Sequence, residues 1–179
     1  MPQLTATRQL HVLVADKERD ALMENPQNPP AEIEADTFSV RRTIHINAPR
    51  EKVWRTVTEP ELISQWFGQI TLDGTGAGAL GTIGWPGERR VPIRVDTFDP
   101  PSEVSYRWCN EEGPLPETVD EQRSTVFTFT LEETPRGTQL TVVEKGFERT
   151  GNPTGLMADH RGGWDVELDK LVVLLERSS

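Results

Sequence analysis

Residues 90–109, RVPIRVDTFDPPSEVSYRWC, decide how the chain folds. Val91, Ile93 and Val95 alternate with polar neighbours, which gives a strand with one buried face. Pro100-Pro101 breaks the run. Val104, Tyr106 and Trp108 then alternate with Ser105, Arg107 and Cys109, so a second strand returns beside the first.

Working outward, more strands follow on both sides. Upstream, Ile70–Leu72 leads into the glycine-rich 74–81, then Thr82–Trp85 and the turn Pro86-Gly87. Downstream, residues 111–121 form a polar loop with five acids and no base. Phe127, Phe129 and Leu131 alternate with threonines, and Pro135-Arg136-Gly137 makes a hairpin turn. Leu140, Val142 and Glu144 share one face of the next strand, which Gly146 closes. These six strands with short turns predict an antiparallel meander.

Before the meander, Phe38, Val40, Arg42, Ile44 and Ile46 alternate with Ser39, Arg41, Thr43 and His45 as a first strand, joined at an edge or across the sheet. Pro49 opens a helix carrying Val53, Trp54 and Val57. Pro60 restarts a second short helix over Glu61–Phe67, ending at Gly68. At the other end, Asn152-Pro153 caps a long helix whose stripe is Trp164, Leu168, Leu171, Val172 and Leu175. Gly162-Gly163 beside that stripe reads as a bend or a close backbone approach.

Composition narrows the function. The chain has 179 residues, 35% hydrophobic and 27% charged, the profile of one ordinary domain with an appendage. Its 29 acids and 19 bases give a net charge of −10, which argues against nucleic acid and against an anionic membrane as partners. One cysteine, Cys109, excludes an internal disulfide, and with no secretory signal the expected location is cytoplasmic. Residues 1–37 hold seven acids and three bases and read as an acidic extension with a proline-rich linker at 25–35, either a mobile tail or an appendage that docks on the domain or on a second subunit; residues 38–179 are the domain. Within the extension, Leu10–Val14 is either a strand before a helix capped by Asp16 or part of one short helix.

The order strand, two short helices, six strands, long helix resembles the SRPBCC (START/Bet v 1-like) superfamily. Its branch named for the activator of heat-shock protein 90 ATPase is the nearest likeness. Four motifs carry it. Ala48-Pro49-Arg50-Glu51-Lys52-Val53-Trp54 is similar to that branch's helix entry. Thr58-Glu59-Pro60-Glu61-Leu62 with Trp66-Phe67 is similar to its second helix. Asp99-Pro100-Pro101 with Tyr106-Arg107-Trp108 is similar to its hairpin. Gly163-Trp164 with Leu168 and Leu171 is similar to its terminal helix. The resemblance implies an α+β helix-grip fold: a curved antiparallel sheet around a long C-terminal helix, with two short helices between strands 1 and 2. It further implies a cavity between sheet and helix for an apolar or amphipathic small molecule.

On that reading the ligand-binding residues are Trp66, Phe67, Trp85, Trp108, Phe127, Phe129 and Met157 as walls, with Trp164 at the mouth and Glu144 and His160 as polar anchors. Each competes with a plainer role. The aromatics also serve as ordinary core. Glu144 either turns inward, where a carboxylate needs a partner, or reaches solvent at the strand end. His160 is either at the mouth or an exposed helix-end residue. Arg42 poses the same question as Glu144, and Arg94 is expected to face solvent. The three histidines, His11, His45 and His160, have no metal-ligand spacing. The 74–78 glycines lack the lysine and helix of a phosphate loop. No catalytic set is assembled, so no cofactor is expected and the protein leans away from enzymes.

Two rivals stand beside binding. One is a cyclase- or hydrolase-like enzyme using Glu144 and His160, which fails if those side chains lie far apart or outside the cavity. The other is an interaction module in a stress response. Chaperone activation is not expected, because the activator that names the branch also depends on a separate N-terminal domain. A homodimer fits the binding reading.

Overall fold

The computed structural model describes residues 28–109 and 113–177. In chain order these form β1 (Glu32–Glu34), β2 (Ser39–Ile46), α1 (Arg50–Thr58), α2 (Pro60–Ile63), β3 (Gln69–Asp73), β4 (Leu80–Gly84), β5 (Val91–Asp99), β6 (Glu103–Trp108), β7 (Thr125–Thr134), β8 (Gly137–Lys145) and α3 (Pro153–Arg177). The eight strands make one curved antiparallel sheet in the order β1-β2-β8-β7-β6-β5-β4-β3. The meander is therefore β3 to β8, and the first long strand crosses over to pair with the last, with Val40 opposite Glu144 and Ile46 opposite Thr138.

The alternation seen in the sequence sets the faces. Val104, Tyr106, Trp108, Phe127, Phe129, Leu131, Leu140 and Val142 are all buried. Against them lies α3, whose buried residues Met157, His160, Trp164, Leu168, Leu171 and Leu175 recur at three or four positions, a stripe on one helix face. Asn152 caps this helix through Oδ1, which accepts from the Gly155 N–H at 3.1 Å. The β7–β8 turn brings Gly137 against the backbone of β2. With φ at +136° and a Cβ that would stand 2.3 Å from Ile46 O, no other residue fits there.

The structure revises several expectations. Phe38 does not begin the first strand: it takes a left-handed φ of 47° and is 39% exposed, and β2 starts one residue later. Residues 28–37 are not a free linker. Glu32–Glu34 pair with Ser39–Arg41 as an added edge strand, and Ala31 is in the core. Composition pointed to a linker because backbone pairing needs no particular side chains. The expected boundary at Phe38 thus falls inside the sheet. The readings of Leu10–Val14 and Asp16 lie outside the described residues. The second helix is shorter than expected, ending at Ile63, so Trp66 and Phe67 sit in a turn; β4 ends at Gly84, so Trp85 belongs to the following loop. The Gly162-Gly163 pair makes no break, because α3 runs continuously through it.

Arg42 holds the added segment, the sheet and α3 together. Its side chain is buried on the core face of β2. Its Nε donates to Pro29 O at 3.0 Å, its Nη1 to Trp164 O at 3.1 Å and Asp165 O at 2.8 Å, and its Nη2 to Asp169 Oδ1 at 2.7 Å. Asp165 Oδ1 in turn accepts from the Ala31 N–H at 2.6 Å, and Arg161 donates to Ala31 O. Arg94, expected in solvent, is only partly exposed and pairs with Asp96 and Glu121.

Candidate ligand site

Glu144 ends the run of buried residues on β8, directly opposite Phe127 of β7, and it is fully buried. Strand parity turned it inward, so the solvent-facing alternative is excluded. A lone carboxylate there would be costly, and four donors compensate it. Oε1 accepts from Trp108 Nε1 at 2.9 Å and Thr125 Oγ1 at 2.5 Å, and Oε2 accepts from Trp164 Nε1 at 2.8 Å. His160 Nδ1 lies 2.9 Å from Oε1 and 3.0 Å from Oε2, and donates because an ionised carboxylate only accepts. His160 and Trp164 are four residues apart on α3, so one helix face delivers both donors to the same group.

Burial alone would raise the Glu144 carboxyl. The charge of His160 and hydrogen bonds from His160, Thr125 and Trp108 outweigh it, and the group sits below its ordinary value of 4.5. Glu144 is thus a buried carboxylate held by His160, the Thr125 hydroxyl and two indole N–H groups. His160, weighed as an exposed helix-end residue, is 9% exposed.

Beside this cluster, along the N-terminal half of α3, lies a cavity of about 490 Å³. Trp85, Glu88 and Arg89 of the β4–β5 loop form one wall. The other wall is Leu156, Asp159, His160, Gly163, Trp164 and Glu167 from successive turns of α3, and Phe67 and Trp108 complete the lining. Glu167 is pushed up by burial, against which Lys170 and Trp85 pull it down, while the nearby Glu88 charge adds to the rise.

Five of the ten expected residues therefore meet at the cavity: Phe67, Trp85, Trp108, His160 and Trp164. Glu144 stands behind them. Trp66, Phe127, Phe129 and Met157 are core residues. The reason is Phe67, which fills the gap between sheet and helix. Its ring stacks on Trp66 at 5.2 Å and on Trp164 at 5.4 Å, and meets Phe127 edge-on at 5.8 Å. Trp66 is fixed further by its Nε1, which donates to Thr56 O at 3.0 Å. The cavity is displaced toward the β4–β5 loop, where the sequence reading did not place Glu88, Arg89, Leu156, Asp159, Gly163 and Glu167. The α3 members share one face with Trp164, so the same helical spacing could have found them. Glu88 and Arg89 sit in a loop with no periodic signal. Among the described residues no three metal-ligating groups gather, and no helix is long and apolar enough to cross a membrane.

A curved antiparallel sheet closed by one long helix, with a lined cavity along that helix, defines the helix-grip class. Residues 47–176 match the family described as Activator of Hsp90 ATPase homolog 1-like protein, and the chain belongs to that family, within the SRPBCC type. Among solved structures it is similar to protein MLL2253 from Mesorhizobium loti, at 28% identity and a TM-score of 0.66 over 79% of this chain and 98% of that one. It is also similar to DynU16, from the dynemicin biosynthetic locus, at 27% identity and a TM-score of 0.64. There the match covers 79% of this chain but only 48% of the other. The Aha1 dimer from Colwellia psychrerythraea shares the fold at 22% identity, with a TM-score of 0.61 over 77% of this chain and 96% of that one. Among curated proteins, none matches the chain.

Proposed function

We propose that this protein binds a small hydrophobic or amphipathic molecule in the cavity between α3 and the β4–β5 loop, without transforming it. The observation that carries this is the cavity itself. At about 490 Å³ it falls in the range of small-molecule sites, and four aromatic side chains line it beside a few charged ones. The buried Glu144 cluster holds two of those aromatics, Trp108 and Trp164, in place by their indole N–H groups. A cavity whose walls are fixed in advance spends less binding energy on ordering them. The likeness to a protein of a biosynthetic locus agrees with a small organic ligand.

Native mass spectrometry of the purified protein, beside its denatured mass, tests this. The reading expects an excess of a few hundred daltons that denaturation removes, and the same spectrum separates monomer from homodimer. Gly163 supplies the control. A Cβ on Gly163 would meet nothing within 4 Å, so Gly163→Leu projects into the cavity without a backbone clash. It should abolish the excess mass. Gly163→Ala should leave the protein as stable or more so, by up to about 1 kcal/mol in chemical denaturation. An excess mass that survives Gly163→Leu would place the ligand elsewhere.

One observation favours a second reading. His160 lies on the cavity wall and contacts Glu144 at 2.9 Å, the arrangement an acid/base residue and its orienting partner need. Glu144 is saturated by donors and would orient His160 without touching substrate. A ligand released with altered mass after incubation, and unaltered with His160→Gln, would support catalysis over binding.

A further inference from the structure

The charges around the cavity are unevenly matched. Glu88, Asp159 and Glu167 contribute three carboxylates to its lining. Of the two basic residues there, His160 is bonded to Glu144, and Arg89 donates to the backbone carbonyl of Gly113 and keeps its charge, so three carboxylates face one guanidinium. The Glu167 side chain is only 13% exposed, and Lys170 Nζ contacts its Oε2 at 2.6 Å. That oxygen is buried without an aligned hydrogen bond, and Lys170 itself is half in solvent. Three indoles and a phenyl ring share the lining, with Phe67 and Trp108 each within 6.2 Å of Trp85.

We propose that the ligand is an organic cation, an amine or quaternary ammonium on an apolar body, held by these aromatic rings with its charge toward Glu167 and Glu88. This rests on the binding reading above and names its ligand class. A neutral apolar ligand would strip water from Glu88 and Asp159, both exposed, and return nothing. An anion would meet the Arg89 guanidinium but also three carboxylates and the negative faces of the rings. A cation is attracted by the carboxylates and by the ring faces, and aromatic walls hold it at little cost in desolvation. The apolar body would lie along Leu156 and the uncovered backbone at Gly163.

Three probes of equal length separate the outcomes: 4-phenylbutyltrimethylammonium, 5-phenyl-1-pentanol and 5-phenylpentanoate, each titrated calorimetrically into the full chain. The ammonium should bind about tenfold more tightly than the alcohol, and the carboxylate most weakly. In Glu167→Gln, and separately in Glu88→Gln, the preference for ammonium over alcohol should shrink, with the circular-dichroism spectrum unchanged. Equal binding of ammonium and alcohol, or tightest binding of the carboxylate, would overturn the cationic assignment and leave the cavity reading intact. Binding of none of the three would overturn the cavity reading itself.

Discussion

Replacing Glu144 with leucine is expected to cost about 3–5 kcal/mol of folding stability, the scale for removing one partner of a buried ion pair. Leucine fits the space but leaves Trp108 Nε1, Trp164 Nε1, the Thr125 hydroxyl and His160 without their shared acceptor. All of these groups are buried between β6, β7, β8 and α3. Glu144→Gln should cost less, about 1–3 kcal/mol, because one oxygen still accepts while the amide now opposes a donor. Urea denaturation followed by tryptophan fluorescence gives both numbers. A loss below 1 kcal/mol for the leucine variant would mean that the cluster is not what holds α3 on the sheet.

The same group predicts a pH dependence. The folded Glu144 carboxyl lies below its ordinary value of 4.5. The stability it contributes is therefore fully present above that value and is lost as pH falls through the lower, folded one. Glu167 and Asp169 are raised, chiefly by burial, and work in the opposite sense, gaining stability as they take up protons. The difference between wild type and Glu144→Gln isolates the first effect. It should shrink as the pH falls below about 4.5 and Glu144 takes up its proton in the folded state.

The second large effect belongs to Arg42. Arg42→Met keeps much of the apolar stem but removes four hydrogen bonds that join Pro29, Trp164, Asp165 and Asp169. We expect a loss of about 3 kcal/mol, at the lower end for a buried pair because Asp165 and Asp169 are 14% and 18% exposed and keep some water. Adding Asp169→Leu should restore part of it, since the second substitution removes the carboxylate left behind. Two additive losses in a double-mutant cycle would show that Arg42 and Asp169 do not act as a pair. Because Arg42 touches Trp164 O, the single variant should also weaken ligand binding at the cavity.

How far the sequence carried these sites depends on the kind of signal each leaves. Strand parity puts Trp108 on the apolar face and Glu144 on the face of Leu140 and Val142, with a solvent-reaching strand end as the alternative for Glu144, and helical spacing puts Trp164 on its stripe. Periodicity fixes which way a side chain points; that these three residues from distant segments meet at one spot is a property of the packed fold. It could not show that Thr125 and His160 complete the group, since that depends on β6, β7 and β8 lying side by side with α3 across them. Arg42 was visible as a charge on an apolar face, but its partners lie more than 120 residues away on α3.

The misplacements have a physical pattern too. Phe127 and Phe129 are expected as cavity walls because the resemblance implies a cavity between sheet and helix, and Phe67 fills that gap. Because glycine weakens helices, the Gly162-Gly163 pair reads as a bend or a close backbone approach. Gly163 sits in an unbroken helix, and its missing side chain leaves room in the cavity. Glu88 and Arg89 left no trace, since a loop between strands carries no period to read.

The central claim, that a small molecule sits between α3 and the β4–β5 loop, is tested most directly by the indole N–H resonances of the ¹⁵N-labelled protein titrated with 4-phenylbutyltrimethylammonium. Trp85, Trp108 and Trp164 line the cavity, whereas Trp54 packs on Phe98 outside its lining. Saturable shifts at the first three, with Trp54 unmoved, are the predicted result. Shifts centred on Trp54, or saturable binding that leaves Trp85, Trp108 and Trp164 unmoved, would contradict it.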